Sequence, residues 1–184
     1  MALATLSELK EYLDISSAAH DARLTSLLAR AESAMEQFTE RRFAAADYVE
    51  LNDGAGVPWL LLRHYPALSV ASVHDDTARA FPPDTLIPAA DYALEADAGI
   101  LRLTSGGVFT RGVSNVRAAY RAGYETPPSD LKQACILFAA LLFEERKNVG
   151  VASRSLKDGA TTYRHGIPEE VLKMLEPYRR RSIG

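Results

Sequence analysis

The sequence has little of what most active sites are built from. Among 184 residues there is one cysteine, Cys135, one tryptophan, Trp59, and four histidines. A lone thiol excludes an intramolecular disulfide and any multi-cysteine zinc or iron–sulfur site, and it fits a reducing compartment in which the core alone supplies stability. Long hydrophobic runs are missing as well. Glu8, Lys10 and Glu11 interrupt the N-terminal stretch where a secretory signal needs unbroken apolar residues, and no run reaches the roughly 18 residues of a membrane span. We therefore expect a soluble chain without a targeting segment. Nor is there an excess of positive charge: 21 Lys and Arg stand against 24 Asp and Glu, a net −3. The whole-chain electrostatic footprint of a sequence-reading nucleic-acid binder is absent.

What is present is the composition of a globular protein. Hydrophobic residues make up 47% and charged residues 24%, which argues against disorder and low-complexity architectures. The length predicts a single domain, with room for a sub-domain insertion. Charge is placed unevenly. Residues 1–60 hold ten acids and five bases, whereas residues 121–184 hold eight acids and eleven bases, so the C-terminal end is the basic one. Arg179, Arg180 and Arg181 contribute much of that, either as a solvated helix end complementing the helix dipole or as a contact for an acidic partner.

Hydrophobic periodicity divides the chain into three parts. At the N-terminus, Thr5-Leu6-Ser7-Glu8 has the form of a capping box ahead of a short helix with Leu6, Leu9 and Leu13 on one face. Asp21 is placed to cap a longer helix in which Leu24, Leu27, Leu28, Ala31, Met35 and Phe38 recur at three- and four-residue steps, ending near Thr39. From Asp47 to Tyr124 the helical period gives way to short β-rich pieces bounded by proline, glycine and Asn52-Asp53. Strands are expected at 48–51, 59–62, 68–74, 92–95, 100–103 and 116–120, short enough for an antiparallel meander. Pro127-Pro128-Ser129-Asp130 then opens a third helix, 130–147, whose stretch Ala134 to Phe143 is apolar on every face. Such a helix must be covered by this protein's own helices or by a neighbouring subunit. Residues 148–166 are rich in Gly, Ser and Thr and read as a long loop, a length that is usually functional or mobile. Pro168 opens a last helix with Val171, Leu172, Leu175 and Tyr178 on one face, followed by the basic tail through 184. The expected fold class is α+β: a small bundle of about four helices with an antiparallel β-sheet region inserted between the second and third.

No catalytic constellation emerges. His20, His64, His74 and His165 lack the close spacing of a helical metal site, and neither a Gly-x-Ser-x-Gly elbow nor a Cys–His pairing is offered by motif. Asp75, Asp76 and Asp84 have the residue type of a magnesium site, yet adjacent acids on a strand point to opposite faces and an acidic turn explains them better. The glycine clusters Gly54-Ala55-Gly56 and Ser105-Gly106-Gly107 sit among strands, away from any helix N-terminus that could cradle phosphate, and read as hairpin turns. Cys135 falls inside the apolar helix, where a thiol is a small hydrophobe. Trp59 reads as a strand residue burying its ring. No cofactor and no metal is expected.

The order of several segments resembles a known family. Leu6-Ser7-Glu8-Leu9-Lys10-Glu11-Tyr12-Leu13, then Phe38-Thr39-Glu40-Arg41-Arg42-Phe43, Tyr65-Pro66-Ala67-Leu68-Ser69-Val70, Ala119-Tyr120-Arg121-Ala122-Gly123-Tyr124 before Pro127-Pro128-Ser129-Asp130, and finally Leu175-Glu176-Pro177-Tyr178-Arg179-Arg180, are together similar to the head–tail connector (adaptor, or head-completion) proteins of tailed bacteriophages, prophages and gene-transfer agents. Asp75 to Asp91 matches least well. The resemblance spans nearly the whole chain and implies a non-enzymatic, virion-located connector assembled in the bacterial host cytoplasm. It implies a ring, commonly of twelve subunits, docked under the portal protein and offering a platform to a tail-side connector or stopper. Double-stranded DNA would pass through the ring without sequence-specific binding. In such families the C-terminal segment reaches the portal, which makes Pro177, Tyr178, Arg179, Arg180 and Arg181 the candidate portal contact, with Tyr178 as anchor. Arg154, Lys157, Tyr163 and Arg164 in the long loop are candidate assembly residues. Chain 1–184 is then a single connector domain. The competing readings are a monomeric binding or regulatory module using the β-rich region, and a hydrolase built on His74, Asp75 and Asp76.

Overall fold

The computed structural model describes residues 2–145 and 166–180. The chain is α+β and divides into two compact units, Met1–Phe43 with Thr126–Gly184, and Ala44–Glu125.

Four α-helices of the described residues belong to the first unit: α1 Leu6–Tyr12, α2 Asp21–Thr39, α3 Ser129–Glu145 and α4 Glu169–Leu175. The capping box of α1 forms as its residues dictate, with Thr5 N donating to Glu8 Oε2 at 2.8 Å and Glu8 N donating to Thr5 Oγ1 at 3.3 Å. Before α2 the capping differs from expectation. Ser17 caps a short 3-10 turn, Ala18–His20, that leads into the helix, and Asp21 instead accepts a hydrogen bond from Lys10 Nζ at 2.7 Å. Leu24, Leu28, Ala31 and Met35 of α2 are buried, the stripe its period predicts. The helix stops where Glu40 turns left-handed at φ 55°.

The apolar helix α3 buries Leu131, Ala134, Cys135, Ile136, Phe138, Ala139, Ala140 and Phe143. Its cover comes from within the chain, since α1, α2 and α4 all pack on it. The apolar stretch therefore supplies no argument for a neighbouring subunit. Lys132 Nζ ties α3 to α1 by donating to Glu8 Oε1 at 2.7 Å. No helix of the described residues is long and apolar enough to cross a membrane.

All six strands of the described residues lie in the second unit: β1 Ala46–Gly54, β2 Trp59–Leu61, β3 Ala67–Asp75, β4 Tyr92–Glu95, β5 Ile100–Leu103 and β6 Gly112–Ala122. They do not run as one meander. They form two three-stranded antiparallel sheets of order β1-β6-β3 and β2-β5-β4, so only β4 and β5 are joined as a hairpin. Its turn ends at Gly99, φ 66°, whereas the clusters at 54–56 and 105–107 connect strands of different sheets. The two sheets enclose a core of Leu60, Leu62, Val73, Leu101, Phe109, Val116 and Tyr120.

Strand β1 reverses the usual polarity. Its apolar Val49 and Leu51 face outward, Val49 being 71% exposed, while Glu50 and Asn52 are buried. Trp59 also stands outward, 39% exposed, contrary to the expectation of a buried ring; it opens β2 opposite Arg102.

Two predictions follow from local contacts. A Cβ added at Gly54 would lie 1.8 Å from the Thr110 carbonyl oxygen and 2.9 Å from Asn115 Nδ2. Gly54→Ala is expected to destabilise the chain by about 2–4 kcal/mol in denaturant unfolding, because backbone rather than a flexible side chain must give way. The second concerns Glu8, whose carboxyl is held down to about 2, first by the Lys132 hydrogen bond and then by those of Thr5. A depressed carboxyl stabilises the fold above its unfolded value near 4.5 and loses that contribution as pH falls toward 2. Melting curves should thus show Glu8→Gln less stable than wild type at pH 7, with the gap closing between about pH 4.5 and 2.

Candidate functional site

The C-terminal segment is built into the helical unit. Pro168 precedes α4, Val171 and Leu175 are buried, and Pro177 helps turn the chain into a 3-10 turn, Glu176–Tyr178. Tyr178 is engaged on three sides. Its hydroxyl donates to the Asp130 carboxylate at 2.7 Å, its carbonyl oxygen accepts from Arg41 Nη1 at 3.2 Å, and its ring meets Phe43 edge-on at 6.3 Å between centroids. Arg180 N donates to the Thr39 carbonyl at 2.9 Å. The Arg179 guanidinium lies 5.3 Å over the Phe38 ring and 3.7 Å from Glu176. Beside it is a groove of about 450 Å³ lined by Ala34, Gln37, Phe38, Ile167 and Arg179.

Of the candidate portal residues, Pro177, Arg179 and Arg180 are exposed and Tyr178 is half-buried. Arg181, and the candidate assembly residues Arg154, Lys157, Tyr163 and Arg164, lie outside the described residues, as does His165. Sequence reasoning did not connect Phe38, Thr39, Arg41, Phe43 and Asp130 with the C-terminus. The signal was nonetheless there, because those residues cluster at the end of α2 and the start of α3, the two chain positions that flank the β-rich unit.

The residues weighed for catalysis are occupied in structural roles. Asp76 accepts from the backbone N–H groups of Ala78, Ala80 and Phe81 at 2.8–2.9 Å. Those bonds, Phe81's foremost, lower its carboxyl below the usual range. Asp75 accepts from Thr110 N at 2.7 Å and Asn115 Nδ2 at 3.0 Å. The ring of His74 bonds Thr85 Oγ1 at 3.2 Å through Nδ1, and His20 packs edge-on against Phe143. Among the described residues no group of three or more His, Cys, Asp or Glu is placed to hold a metal ion.

A buried polar network in the β unit was not legible beforehand. Tyr120 donates its hydroxyl to Glu50 Oε1 at 2.5 Å and accepts from His64 N at 3.1 Å, while Arg63 N donates to Glu50 Oε2 at 3.2 Å. Burial, then the Glu50 bond, push the phenol far above its ordinary range. His64 stacks on Tyr48 at 3.8 Å and sets Nε2 3.7 Å from Glu50 Oε1. The carboxylate and the phenol spend themselves on one another and on backbone N–H groups, which is how a buried polar pair is kept at low cost.

The described surface offers exposed side chains and a groove for contact on a mixed α+β fold. The model of the head completion protein family matches residues 2–181, and the chain belongs to that family. Its role is that of a structural head–tail connector. Solved structures share the fold. One is the neck of an empty gene transfer agent (GTA) particle computed with C6 symmetry, 23% identical, TM-score 0.63, covering 97% of this chain and 91% of that one. Another is the neck of a native GTA particle computed with C12 symmetry, 22% identical, TM-score 0.62, covering 97% and 90%. A third is from the virion of a native GTA particle, 23% identical, TM-score 0.61, covering 97% and 91%. No curated protein sequence matches the chain.

The environment of Cys135 yields a prediction about its reactivity. Its thiol is buried in α3, 4.0 Å from the Leu28 carbonyl oxygen, and burial, with a smaller push from Glu32, raises its pKa to about 12. An aromatic disulfide reagent at pH 8 should label the native thiol at least about a thousandfold more slowly than a free one. Denaturant should restore ordinary reactivity.

Proposed function

We propose that the chain is a ring-forming connector subunit that docks under the portal protein, completes the DNA-filled head and presents a platform to a tail-side connector or stopper. The observation that carries this reading is the family match over residues 2–181. Its support comes from the fold shared with neck structures solved under C6 and C12 symmetry; a ring of twelve subunits is what the family resemblance implies. A head-to-tail contact repeated around an axis closes into such a ring. In this reading the helical and β-rich units work as one connector domain, assembled in the host cytoplasm and retained in the virion, and the protein is not an enzyme.

The C-terminal segment Pro177 to Arg181 is the proposed portal contact, its arginines acting as charge-assisted donors. Arg154, Lys157, Tyr163 and Arg164 are the proposed assembly residues. The net charge of −3 suits a DNA conduit, since a strongly basic channel would hold phosphates by counterion release and impede passage.

Light scattering of the purified chain with its cognate portal, followed by negative-stain images, tests the proposal. A stable complex carrying a closed ring is the expected result. Deleting the gene should leave packaged heads without tails, and normally tailed particles from the deletion would overturn the reading. A chain that stays monomeric and ignores the portal would favour the binding-module alternative.

A further inference from the structure

Three groups converge on Tyr178 from parts of the chain far apart in sequence: Asp130 from the first turn of α3, and Arg41 and Phe43 from just beyond α2. A fourth contact follows directly, since Arg180 N bonds the carbonyl of Thr39, the last residue of α2. Thr39 itself is buried and bonds back to the Met35 carbonyl at 2.8 Å, so the acceptor is part of a rigid helix end. Arg179, the residue that follows Tyr178, has a side chain 54% exposed.

We propose that Tyr178 is a positioning residue, a clasp that pins the C-terminal segment to the ends of α2 and α3, and that the partner-recognising part of the C-terminus begins at Arg179. This rests on the reading that the C-terminal segment meets the portal. It changes the role of one residue in that reading. For Tyr178 to act as an anchor in a partner's pocket, its hydroxyl must leave Asp130 and its ring must leave Phe43. Held as it is, the same side chain fixes the point from which Arg179 and Arg180 are presented, and a preorganised segment loses less conformational freedom on docking than a free one.

The clasp makes claims about the free chain that need no partner. Hydrogen exchange of the Arg180 amide, bonded to Thr39 O, should be protected in wild type. It should speed by at least about tenfold in Tyr178→Ala and in the milder Tyr178→Phe and Asp130→Asn, each of which loses a charge-assisted bond. Tyr178→Ala should also lower the melting temperature by about 4–8 °C. Arg179→Ala with Arg180→Ala, which keeps the backbone bond, should leave exchange and melting nearly unchanged while weakening capture by the portal. Unchanged exchange and melting in all three clasp variants would overturn the clasp and return Tyr178 to the role of anchor. Wild-type chain that shows the protected amide yet binds no portal would leave the clasp standing and sink the connector reading instead. Tyr178→Phe keeps the ring and tests the hydrogen bond alone, so a folding failure of the alanine variant does not blunt the test.

Discussion

The pairing of β1 with β6 is the contact on which the β-rich unit depends. β6 is the central strand of its sheet, receiving β1 along one side and β3 along the other. Ala46 stands opposite Ala122, and Ala44 bridges Tyr124, so the points where the chain enters and leaves this unit lie side by side. Adjacent ends are what allow one compact unit to be inserted within another without straining either. The approach is close enough to demand glycine: Gly123 has φ 111°, and a Cβ there would lie 2.6 Å from the Ala44 carbonyl oxygen. Only a residue without a side chain both accepts that dihedral and lets the backbones meet.

The helical unit is organised differently, around the almost wholly apolar α3. Burial of its side chains by α1, α2 and α4 provides the non-directional part of the stabilisation. Direction comes from polar ties at its N-terminal end, where Lys132 holds Glu8 of α1 and Asp130 holds Tyr178 beyond α4. A bundle held this way keeps its termini registered, an advantage for a protein whose work is to present surfaces to neighbours. Val49, Leu51 and Val113 of the β-rich unit remain outside. Isolated exposed hydrophobes are ordinary. Two in one row of an edge strand whose polar residues point inward are less so.

That inversion shows where the sequence was readable and where it was not. The helices were legible because a 3.6-residue period survives in the order of Leu24, Leu28, Ala31 and Met35, and the capping box because Thr5 and Glu8 are three residues apart. All six strands were placed, two of them, 92–95 and 100–103, with the bounds they have in the structure. Their partition into two sheets was hidden, because pairing depends on residues about 70 positions apart, such as Tyr48 and Tyr120, and no local pattern records which strand will lie beside which. The direction in which β1 faces was hidden for a related reason: Glu50 is buried because Tyr120 and the backbone of Arg63 wait for it, not because of anything near it in the chain.

The family, the α+β class, the helix positions and the lack of a catalytic motif were determined by the sequence itself, through local periodicity, capping and the order of short segments. Tertiary structure alone decided that α3 is covered from within, that Asp75 and Asp76 are committed to backbone N–H groups, and that Tyr178 is tied to Asp130 48 residues away. Each of those outcomes is a competition for a hydrogen-bond partner or for cover from water among groups distant in sequence. Such competitions are settled only when the chain closes on itself and the desolvated groups must find one another.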